Sequence, residues 1–482
     1  MVKRLPRIVL LLTMSATLLA SAAGSASSAD PLSKVSPSVL RATADGGTAS
    51  FLAILTSRAD LSGAAALSGK LARGRFVFET LRAHAVRTQA PIVALLDRMG
   101  ATYRSHWLVN LLRVTGGRDV AMALAARADI ERIVPDVRTK SIILPDQPAR
   151  VSTEAPGTVE WNVSRVRAPR AWAQGFTGQG IVLGSIDTGQ QWDHPALKSH
   201  YRGWNGVTAD HNYNWYDATT PPSNVPIDPY GHGTHTAGTM VGDDGGTNQV
   251  GVAPGAKWMA CRSMDEAGFG SPDTYITCFE FMMAPWDLNG QNPDPSKAPV
   301  AVSNSWYCSI SLEGCTQGVL FEVVKNVRAA GIVPVVAAGN AGSLCRTIGN
   351  DGPPAQYDQS YAVGATTITN VLASFSSRGP VKVQGQRLVK PDIAAPGEGV
   401  RSSYPGNTYA VFSGTSMATP HIAGAIAILY SAKPNLIGDV DGTEAVLNTT
   451  AHHVNSSECN SNGTYPNNLY GYGIVDAFAA TR

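Results

Sequence analysis

The chain has 482 residues and a formal net charge of +2; 44% of its residues are hydrophobic and only 15% are charged. This composition predicts a globular protein that can bury a large apolar core. The small net charge argues against a protein that binds nucleic acid or an anionic membrane surface through its overall charge.

The N-terminal end has the pattern of a secretory signal peptide. Lys3, Arg4 and Arg7 precede an apolar stretch, and small residues then lead to Ala29–Asp30. We therefore expect residues 1–29 to be removed on export and the mature protein to be secreted, in the extracellular space. A membrane anchor is the alternative, but the apolar run is short for a complete span.

The next part of the chain, residues 30–150, is predicted to form a small α+β domain. Its segments read in order as strand (SFLAIL), helix (RFVFETLRAHAVRTQAPIVALLDRMG, interrupted at Pro91), strand (RSHWLVNLLRV), helix (DVAMALAARADI) and extended chain (ERIVPDVRTKSIIL). This alternation is typical of a compact α+β unit. The stretch PDQPARVSTEAPG reads as a proline-rich linker, where we expect proteolysis.

Short apolar runs dominate the remaining residues, 159–482. The runs IVLGSID, KWMAC, VAVSNS, IVPVVAA, YAVGA and PDIAAP do not alternate with polar residues, so they predict strands that are buried on both faces. Helical segments such as TQGVLFEVVKNVRAAG lie between them. The pattern predicts an α/β fold in which a mostly parallel sheet has helices on both faces.

Six cysteines, all in the C-terminal two thirds of the chain, predict disulfides, because an exported chain with an even cysteine count favours them over free thiols. A metal site is the alternative, but the chain has no C-x-x-C pair. The sequence does not fix the connectivity. Pairing near neighbours would join Cys261 to Cys278, Cys308 to Cys315 and Cys345 to Cys459.

Functional residues in open α/β folds collect at the carboxyl ends of the strands. Asp187 ends a strand in GSIDTGQQWDHP, His232 begins a helix in YGHGTHTAGTMVG, and Ser416 begins an apolar helix in VFSGTSMATPHIAGAIAILY. A serine hydroxyl needs a base to accept its proton, and the base needs a group that holds its tautomer. These three residue types can supply a nucleophile, a general base and an orienting carboxylate.

Each of these signals alone has a simpler interpretation. An aspartate at a strand end is commonly a helix cap, and small residues before a buried helix commonly serve packing. His232 and His235 could bind a metal ion together, but the Glu of the H-E-x-x-H zinc motif is missing. We interpret Ser413 as a hydrogen-bonding residue of the loop before the helix of Ser416.

The stretches DTG, HGTH and GTSMATPH resemble, in this order, the three catalytic signatures of the subtilisin-like serine proteases, or subtilases. The stretches AAGN, SFSSRGP, PDIAAPG and GYGIVDA also match that family, and the resemblance covers residues 159–482. DTGQQWDHPALKSHYRGWN and PDPSKAPVAVSNSW are most similar to its bacillopeptidase F-like branch. The resemblance implies a subtilisin-like α/β fold and a serine endopeptidase that is made as a self-processing zymogen.

The resemblance also implies roles for individual residues. Ser416 would be the nucleophile, His232 the general acid and base, and Asp187 the orienting carboxylate. The side chain of Asn340 and the backbone N–H of Ser416 would donate hydrogen bonds to the oxyanion. The residues that would bind an extended substrate are Gly268, Phe269, Gly270, Ser305, Trp306, Tyr307 and Gly339.

The chain departs from the family pattern at two positions. Tyr307 stands where most relatives have Gly, so we expect the walls of the substrate pocket to differ. Ala196 stands where many relatives have a carboxylate, which puts the usual calcium site in doubt. The chemistry would require no cofactor, and a structural calcium ion remains an expectation without an assigned position.

By the same resemblance, residues 30–150 would be a propeptide and residues 159–482 the peptidase domain. The propeptide would assist folding and then inhibit the active site until it is cut between Lys140 and Gly157. A permanent accessory domain is the alternative. The other partners would be protein or peptide substrates of a monomeric enzyme, with no nucleic acid and no membrane after removal of the signal.

Two other functions compete with the protease interpretation. An esterase or lipase is one, because GTSMA is one residue from the G-x-S-x-G motif, but those hydrolases place Asp and His after the serine and few residues follow Ser416 here. A catalytically inactive binding protein on the same fold is the other. Every expected side chain is present, and Tyr307 is the feature that favours this second alternative.

Overall fold

A computed structural model describes residues 30–142, 150–152, 159–308, 315, 318–349, 352–383 and 385–482. The predicted signal peptide and most of the predicted linker lie outside these described residues. Across the described ranges, no helix combines the length and the apolar character that a membrane span needs.

The N-terminal domain (residues 30–142) contains, in chain order, α1 (Pro37–Ala42), β1 (Ala49–Leu55), α2 (Lys70–Met99), β2 (Thr102–His106), β3 (Leu111–Gly116), α3 (Arg118–Ala125), β4 (Ile130–Pro135) and β5 (Thr139–Lys140). Strands β1 to β4 form an antiparallel sheet of order β2-β3-β1-β4. The α+β prediction is confirmed, but RSHWLVNLLRV forms the hairpin β2–β3 instead of one strand. Asn110 turns the chain there, with a left-handed φ of 49° that Asn tolerates.

Helix α2 continues through Pro91, where the sequence predicted an interruption. Proline removes one helical hydrogen bond, and the carbonyl that loses its partner belongs to Arg87. Both residues are exposed, so water can hydrate that carbonyl. On the buried side, Leu81 and Leu96 anchor the two halves of the helix in apolar clusters. The prediction was wrong because this packing outweighs the loss of one exposed hydrogen bond.

The C-terminal domain (residues 159–482) is an α/β domain. Its helices are α4 (Trp161–Arg165), α5 (Ala168–Trp172), α6 (Pro195–Lys198), α7 (His232–Val241), α8 (Pro272–Met283), α9 (Val319–Ala329), α10 (Thr415–Ala432) and α11 (Val440–Thr450). Its strands, preceded by β6 (Arg150–Ser152), are β7 (Val182–Asp187), β8 (Trp215–Asp217), β9 (Lys257–Arg262), β10 (Phe269–Gly270), β11 (Ala301–Asn304), β12 (Val333–Ala337), β13 (Tyr361–Thr366), β14 (Val381–Val383), β15 (Gln386–Leu388), β16 (Ile393–Pro396), β17 (Val400–Tyr404) and β18 (Thr408–Phe412).

The central sheet of this domain has seven strands in the order β16-β13-β12-β11-β7-β9-β8, and all neighbouring pairs are parallel. Six of the strands coincide with the six apolar runs of the sequence. Side chains along a strand alternate between the two faces. In β12, Val333 and Val335 pack in the cluster that contains α10, whereas Val336 packs in the cluster that contains α8 and α9. Both faces are therefore covered by helices, which confirms the predicted fold class.

The two domains share an apolar interface. In β1, Phe51, Ala53 and Leu55 point into the core of the N-terminal domain, while Leu52 and Ile54 join the cluster of α8 and α9. The N-terminal sheet therefore lies with one face on these two helices. Apolar burial on both faces of β1 explains why this strand has no polar alternation.

The three disulfides match the near-neighbour pairing. Cys261–Cys278 links β9 to α8, Cys308–Cys315 closes a short loop after β11, and Cys345–Cys459 joins two distant loops. The pairing predicted from sequence is confirmed, and no cysteine of the described chain is free.

Candidate active site

The three residues predicted to act in catalysis lie at one end of the central sheet. Asp187 is the last residue of β7, His232 is the first residue of α7, and Ser416 lies in the first turn of α10. All three are buried, with exposed fractions of 1%, 0% and 4%. Parallel strands bring their carboxyl ends to the same edge, which is why residues so far apart in sequence can meet there.

Asp187 and His232 form a short hydrogen-bonded pair. The Nδ1 atom of His232 lies 2.7 Å from Oδ1 of Asp187. The carboxylate also accepts from the backbone N–H of Thr188 at 2.8 Å and from the hydroxyl of Thr236 at 3.1 Å. These contacts hold the carboxylate so that Nδ1 of the imidazole is the donor and Nε2 is left to act as a base.

Ser416 and Ser305 exchange two hydrogen bonds. The hydroxyl of Ser416 donates to the carbonyl of Ser305 at 3.1 Å, and the hydroxyl of Ser305 donates to the carbonyl of Ser416 at 2.9 Å. Within the described residues, the Nε2 atom of His232 has no hydrogen-bond partner. Catalytic hydrogen bonds are often long or unmade before substrate binds. The Nε2 atom of His232 is thus an acceptor that is not used by another side chain of the described residues.

The side chain of Asn340 is oriented by the residue before Ser416. Its Oδ1 atom accepts from the backbone N–H of Thr415 at 2.9 Å and from the Thr415 hydroxyl at 3.0 Å. The same hydroxyl accepts from the backbone N–H of Gly339 at 3.1 Å. The two Thr415 donors thus fix which atom of the Asn340 amide is the oxygen and which is the nitrogen.

Close approach of α7 to the end of β7 depends on Gly233. A Cβ atom at this position would lie 2.0 Å from the carbonyl oxygen of Gly189 and 3.0 Å from Cβ of Asp187. No side chain fits there. The glycine of HGTH therefore lets the imidazole of His232 reach the carboxylate.

His235 does not join His232 in a metal site. Its Nε2 atom faces the carbonyls of Val400 and Ala410 at 3.1 Å and 3.0 Å, and its ring stacks on Phe412. Burial, together with the nearby His232, lowers the pKa of His235 to about 3, so the ring stays neutral. Nε2 then donates to one of the carbonyls, which identifies His235 as a structural residue.

Ser413 has the structural role that the sequence indicated. Its hydroxyl accepts from the backbone N–H of Gly399 at 3.0 Å. This contact ties the loop before α10 to the neighbouring loop. Ser413 therefore serves the loop.

Asp228 was missed in the sequence. It is buried and accepts from the Thr188 hydroxyl at 2.8 Å, from the Gly231 N–H at 2.8 Å, and from both the N–H and the hydroxyl of Thr234 at 2.7 Å. The carboxylate thereby joins the residue after Asp187 to the residues that flank His232. Its position four residues before His232, in DPYGH, was the available signal.

Asp228→Asn is expected to lower the free energy of unfolding by ~2 kcal/mol. Both carboxylate oxygens now accept hydrogen bonds, and in asparagine the NH₂ group that replaces one oxygen would face donor groups without accepting from them. Misplacement of the loops should also slow catalysis by about tenfold. Thermal unfolding and the rate of self-processing measure the two effects. The control is Asp392→Asn, at a carboxylate bonded to Lys390 and Ala362, which should lower Tm without slowing processing. An unchanged processing rate in Asp228→Asn would contradict the positioning role.

The predicted substrate edges hold a segment of the N-terminal domain. Strand β5 pairs antiparallel with β10, so that Lys140 lies opposite Phe269 and Thr139 opposite Gly270. The N–H of Ser141 donates to the carbonyl of Gly268 at 3.1 Å. On the other side, the N–H of Tyr307 donates to the carbonyl of Ser141 at 3.2 Å. Residues 139–141 therefore bridge both edges as an extended peptide.

The two remaining predicted substrate residues are Trp306 and Gly339. Trp306 is almost fully buried, with its ring stacked on Tyr275, and Gly339 forms part of the loop that carries Asn340. Trp306 therefore lies behind Tyr275, whose hydroxyl bonds to that of Ser141. Tyr307 instead binds the segment directly, through its backbone N–H. The tyrosine side chain at this position does not prevent the segment from binding.

The region of the usual calcium site combines a small apolar cluster with a buried cation. Ala196 packs with Val250 and Tyr409 in a buried cluster. The guanidinium of Arg401 lies over the ring of Tyr409 and bonds to Glu160 and Asn248, each at 2.8 Å. In the part of the chain that the structure describes, no cluster of three or more His, Cys, Asp or Glu side chains could hold a metal ion.

Comparison with known proteins supports the resemblance to the subtilases that the sequence motifs indicated. The model of the subtilase family matches residues 178–473. Bacillopeptidase F of Bacillus subtilis (strain 168) is 39% identical over 387 residues, which cover 78% of this chain and 26% of that protein. Subtilisin Savinase of Lederbergia lenta is 32% identical over 329 residues, 67% of this chain and 99% of that protein. Subtilisin E of Bacillus subtilis (strain 168) is 30% identical over 364 residues, 75% of this chain and 81% of that protein.

The chain thus spans about a quarter of the length of bacillopeptidase F but most of the length of the two subtilisins. The matched region contains Asp187, His232, Asn340 and Ser416. This similarity, together with the all-parallel sheet and the geometry at its carboxyl edge, identifies the family to which the chain belongs. The chain belongs to the subtilases, the subtilisin-like serine proteases.

Proposed function

We propose that the protein is a secreted serine endopeptidase that is made as a self-processing zymogen. The observation that carries the proposal is the hydrogen-bonded pair of His232 and Asp187, 2.7 Å apart, with Ser416 bonded to Ser305 at the end of β11, the strand next to that of Asp187. The bound segment 139–141 supports cleavage of peptides over cleavage of small esters, because it is held through its backbone on both sides.

The chemistry follows from these contacts. When a substrate carbonyl reaches the site, the hydroxyl of Ser416 turns from Ser305 to Nε2 of His232, which takes the proton as the oxygen attacks. Asp187 stabilises the imidazolium that forms. The amino group of Asn340 and the N–H of Ser416 donate to the oxyanion. His232 then gives its proton to the leaving amine as the C–N bond breaks, and water hydrolyses the acyl-enzyme that remains. The N-terminal end of α10 adds a favourable dipole at the same place.

The N-terminal domain would act as the propeptide. Residues 139–141 occupy the cleft, while β6 pairs with β18, the strand that leads into the loop before Ser416. The two flanks of residues 143–149 are thus both bonded to strands of the C-terminal domain. We infer that the chain cuts itself shortly after Ile142, within the predicted junction, and that residues 30–142 remain bound as an inhibitor.

Labelling with a serine-phosphonylating reagent tests the proposal. We expect one adduct per chain, on the peptide that contains Ser416, in protein that has completed its processing. Ser416→Ala should abolish labelling, whereas the matched control Ser413→Ala should retain it. Hydrolysis of casein should disappear in parallel with labelling. A wild-type protein that takes no label and cleaves no protein substrate would identify the inactive binding protein instead.

A further inference from the structure

Tyr275 fills the space between α8 and the wall of the substrate cleft. Its ring is fully buried and stacks on Trp306, with the ring centroids 4.2 Å apart and the planes 13° from parallel. Phe279, one turn further along α8, packs against the same indole at 6.3 Å. The face of Trp306 that could line a pocket is therefore covered by the tyrosine ring.

The hydroxyl of Tyr275 reaches the peptide that lies in the cleft. It is hydrogen-bonded to the hydroxyl of Ser141, whose side chain is completely buried. Because the Ser141 hydroxyl also lies 3.2 Å from the carbonyl of Thr139, it donates to that carbonyl and accepts from Tyr275. The backbone of Ser141 is fixed at both Gly268 and Tyr307, so its side chain cannot move away from the tyrosine.

The space around this contact is small. A Cβ atom added at Gly270 would lie only 2.5 Å from the Tyr275 hydroxyl, so the strand beside the peptide passes close to the same group. A side chain much larger than serine at position 141 would meet the phenol. Buried overpacking of this kind is unfavourable because neither the stacked ring nor the paired strand can move independently.

We propose that Tyr275 is a specificity-determining residue that makes the Ser141 subsite (Gly268, Tyr275, Trp306 and Tyr307) select substrates with a small, hydroxyl-bearing side chain. The inference rests on the proposed function, because it treats residues 139–141 as a substrate-like peptide. The substrate class is extended protein segments with serine at this position. The hydrogen bond favours serine over alanine, and the phenol excludes branched or aromatic side chains.

Peptides with the sequence of residues 136–152, carrying a fluorophore and a quencher, test this assignment. Position 141 is Ser, Ala or Leu, and mass spectrometry identifies the bond that is cut. We expect kcat/KM of the wild-type processed enzyme, freed of its N-terminal domain, to fall by about tenfold from Ser to Ala and by about 10²-fold from Ser to Leu. Tyr275→Phe should remove the preference for Ser over Ala and still reject Leu. Tyr275→Ala should cleave the Leu peptide faster than the Ser peptide.

A matched control separates this effect from general loss of packing. Tyr430→Phe removes the hydroxyl of another buried tyrosine, which bonds to Thr443 instead, and should leave the order of the three peptides unchanged. Ser141→Leu in the full chain gives a second readout: self-processing should be slow in the wild-type background and recover with Tyr275→Ala. Cleavage of the Ser and Leu peptides at the same bond and rate would overturn the role of Tyr275 alone. Failure to cleave any peptide, with no self-processing, would overturn the proposed function.

Discussion

Replacing Ser416 by Ala is expected to leave the N-terminal domain covalently attached, and replacing Asp187 by Asn is expected to slow its removal by about 10⁴-fold. Ser416→Ala removes the oxygen that attacks the peptide bond. Asp187→Asn keeps the shape of the side chain, and its amide can still meet Thr188 and Thr236. The asparagine lacks the charge that stabilises the imidazolium of His232. His232 is therefore a much poorer base when the serine proton is transferred to it.

The measurement is the intact mass and the N-terminal sequence of the purified chain over time. The wild-type protein should lose its N-terminal domain by a cut between residues 142 and 157. Thr236→Val is the matched control, since it removes one hydrogen bond to the same carboxylate and leaves its charge, and should slow processing by less than about tenfold. Equal processing of the wild-type protein and Ser416→Ala would mean that another protease matures the chain.

The parts of the fold that could be predicted are those that local patterns encode. A strand buried on both faces must be apolar throughout, and runs such as IVLGSID and IVPVVAA announce β7 and β12 without knowledge of their partners. β8 was missed because it is a three-residue edge strand in NWYD, and only its pairing with β9 makes it a strand. Asp187 and Ser416 could be found for a similar reason. Asp187 ends the strand β7, and Ser416 lies in the first turn of the helix α10, and both elements are recognisable in the sequence.

Contacts between distant segments were not predictable in this way. Asp228 looks like an ordinary turn residue until Thr188 is placed beside it. His106 ends a polar strand and gives no sign that Glu280, 174 residues later, will lie against it. Pro91 shows the opposite error, in which a strong local signal yields to packing along the whole of α2. The contacts that these residues make depend on how distant segments pack in the folded chain. That packing cannot be derived from local patterns in a single sequence.

Raising the pH through about 9 is expected to release the N-terminal domain from the processed protein, because His106 then loses its charge. The imidazole is fully buried at the end of β2, with Nε2 2.8 Å from Asp273 and Nδ1 3.2 Å from Glu280, both on α8. Burial alone lowers the pKa of His106. The charges of Glu280 and Asp273 outweigh burial and raise the pKa to about 9.

The direction of the effect follows from linkage. The free domain lacks these two carboxylates, so we expect the pKa of its His106 to lie nearer the ordinary value of 6.5. A pKa raised by association gives stabilisation that is complete below pH 6.5 and is lost as the pH rises through 9. The dissociation constant should therefore rise by about 10²-fold between neutral pH and pH 10. Arg104 bonds to Asp273, and Arg113 bonds to Asp136, whose carboxylate accepts from the backbone N–H of Asp273.

Gel filtration of the processed complex measures this release. Ser416 is first blocked with the phosphonylating reagent, so that the free domain is not degraded, and co-elution is followed from pH 6.5 to pH 10. His106→Gln should weaken the complex at neutral pH and abolish the pH dependence, because the amide cannot be charged. His84→Gln is the matched control, since His84 bonds to Ser57 and Arg87 within its own domain. If His106→Gln dissociates with the wild-type pH profile, another group controls release, and the buried imidazole is only a packing element of the interface.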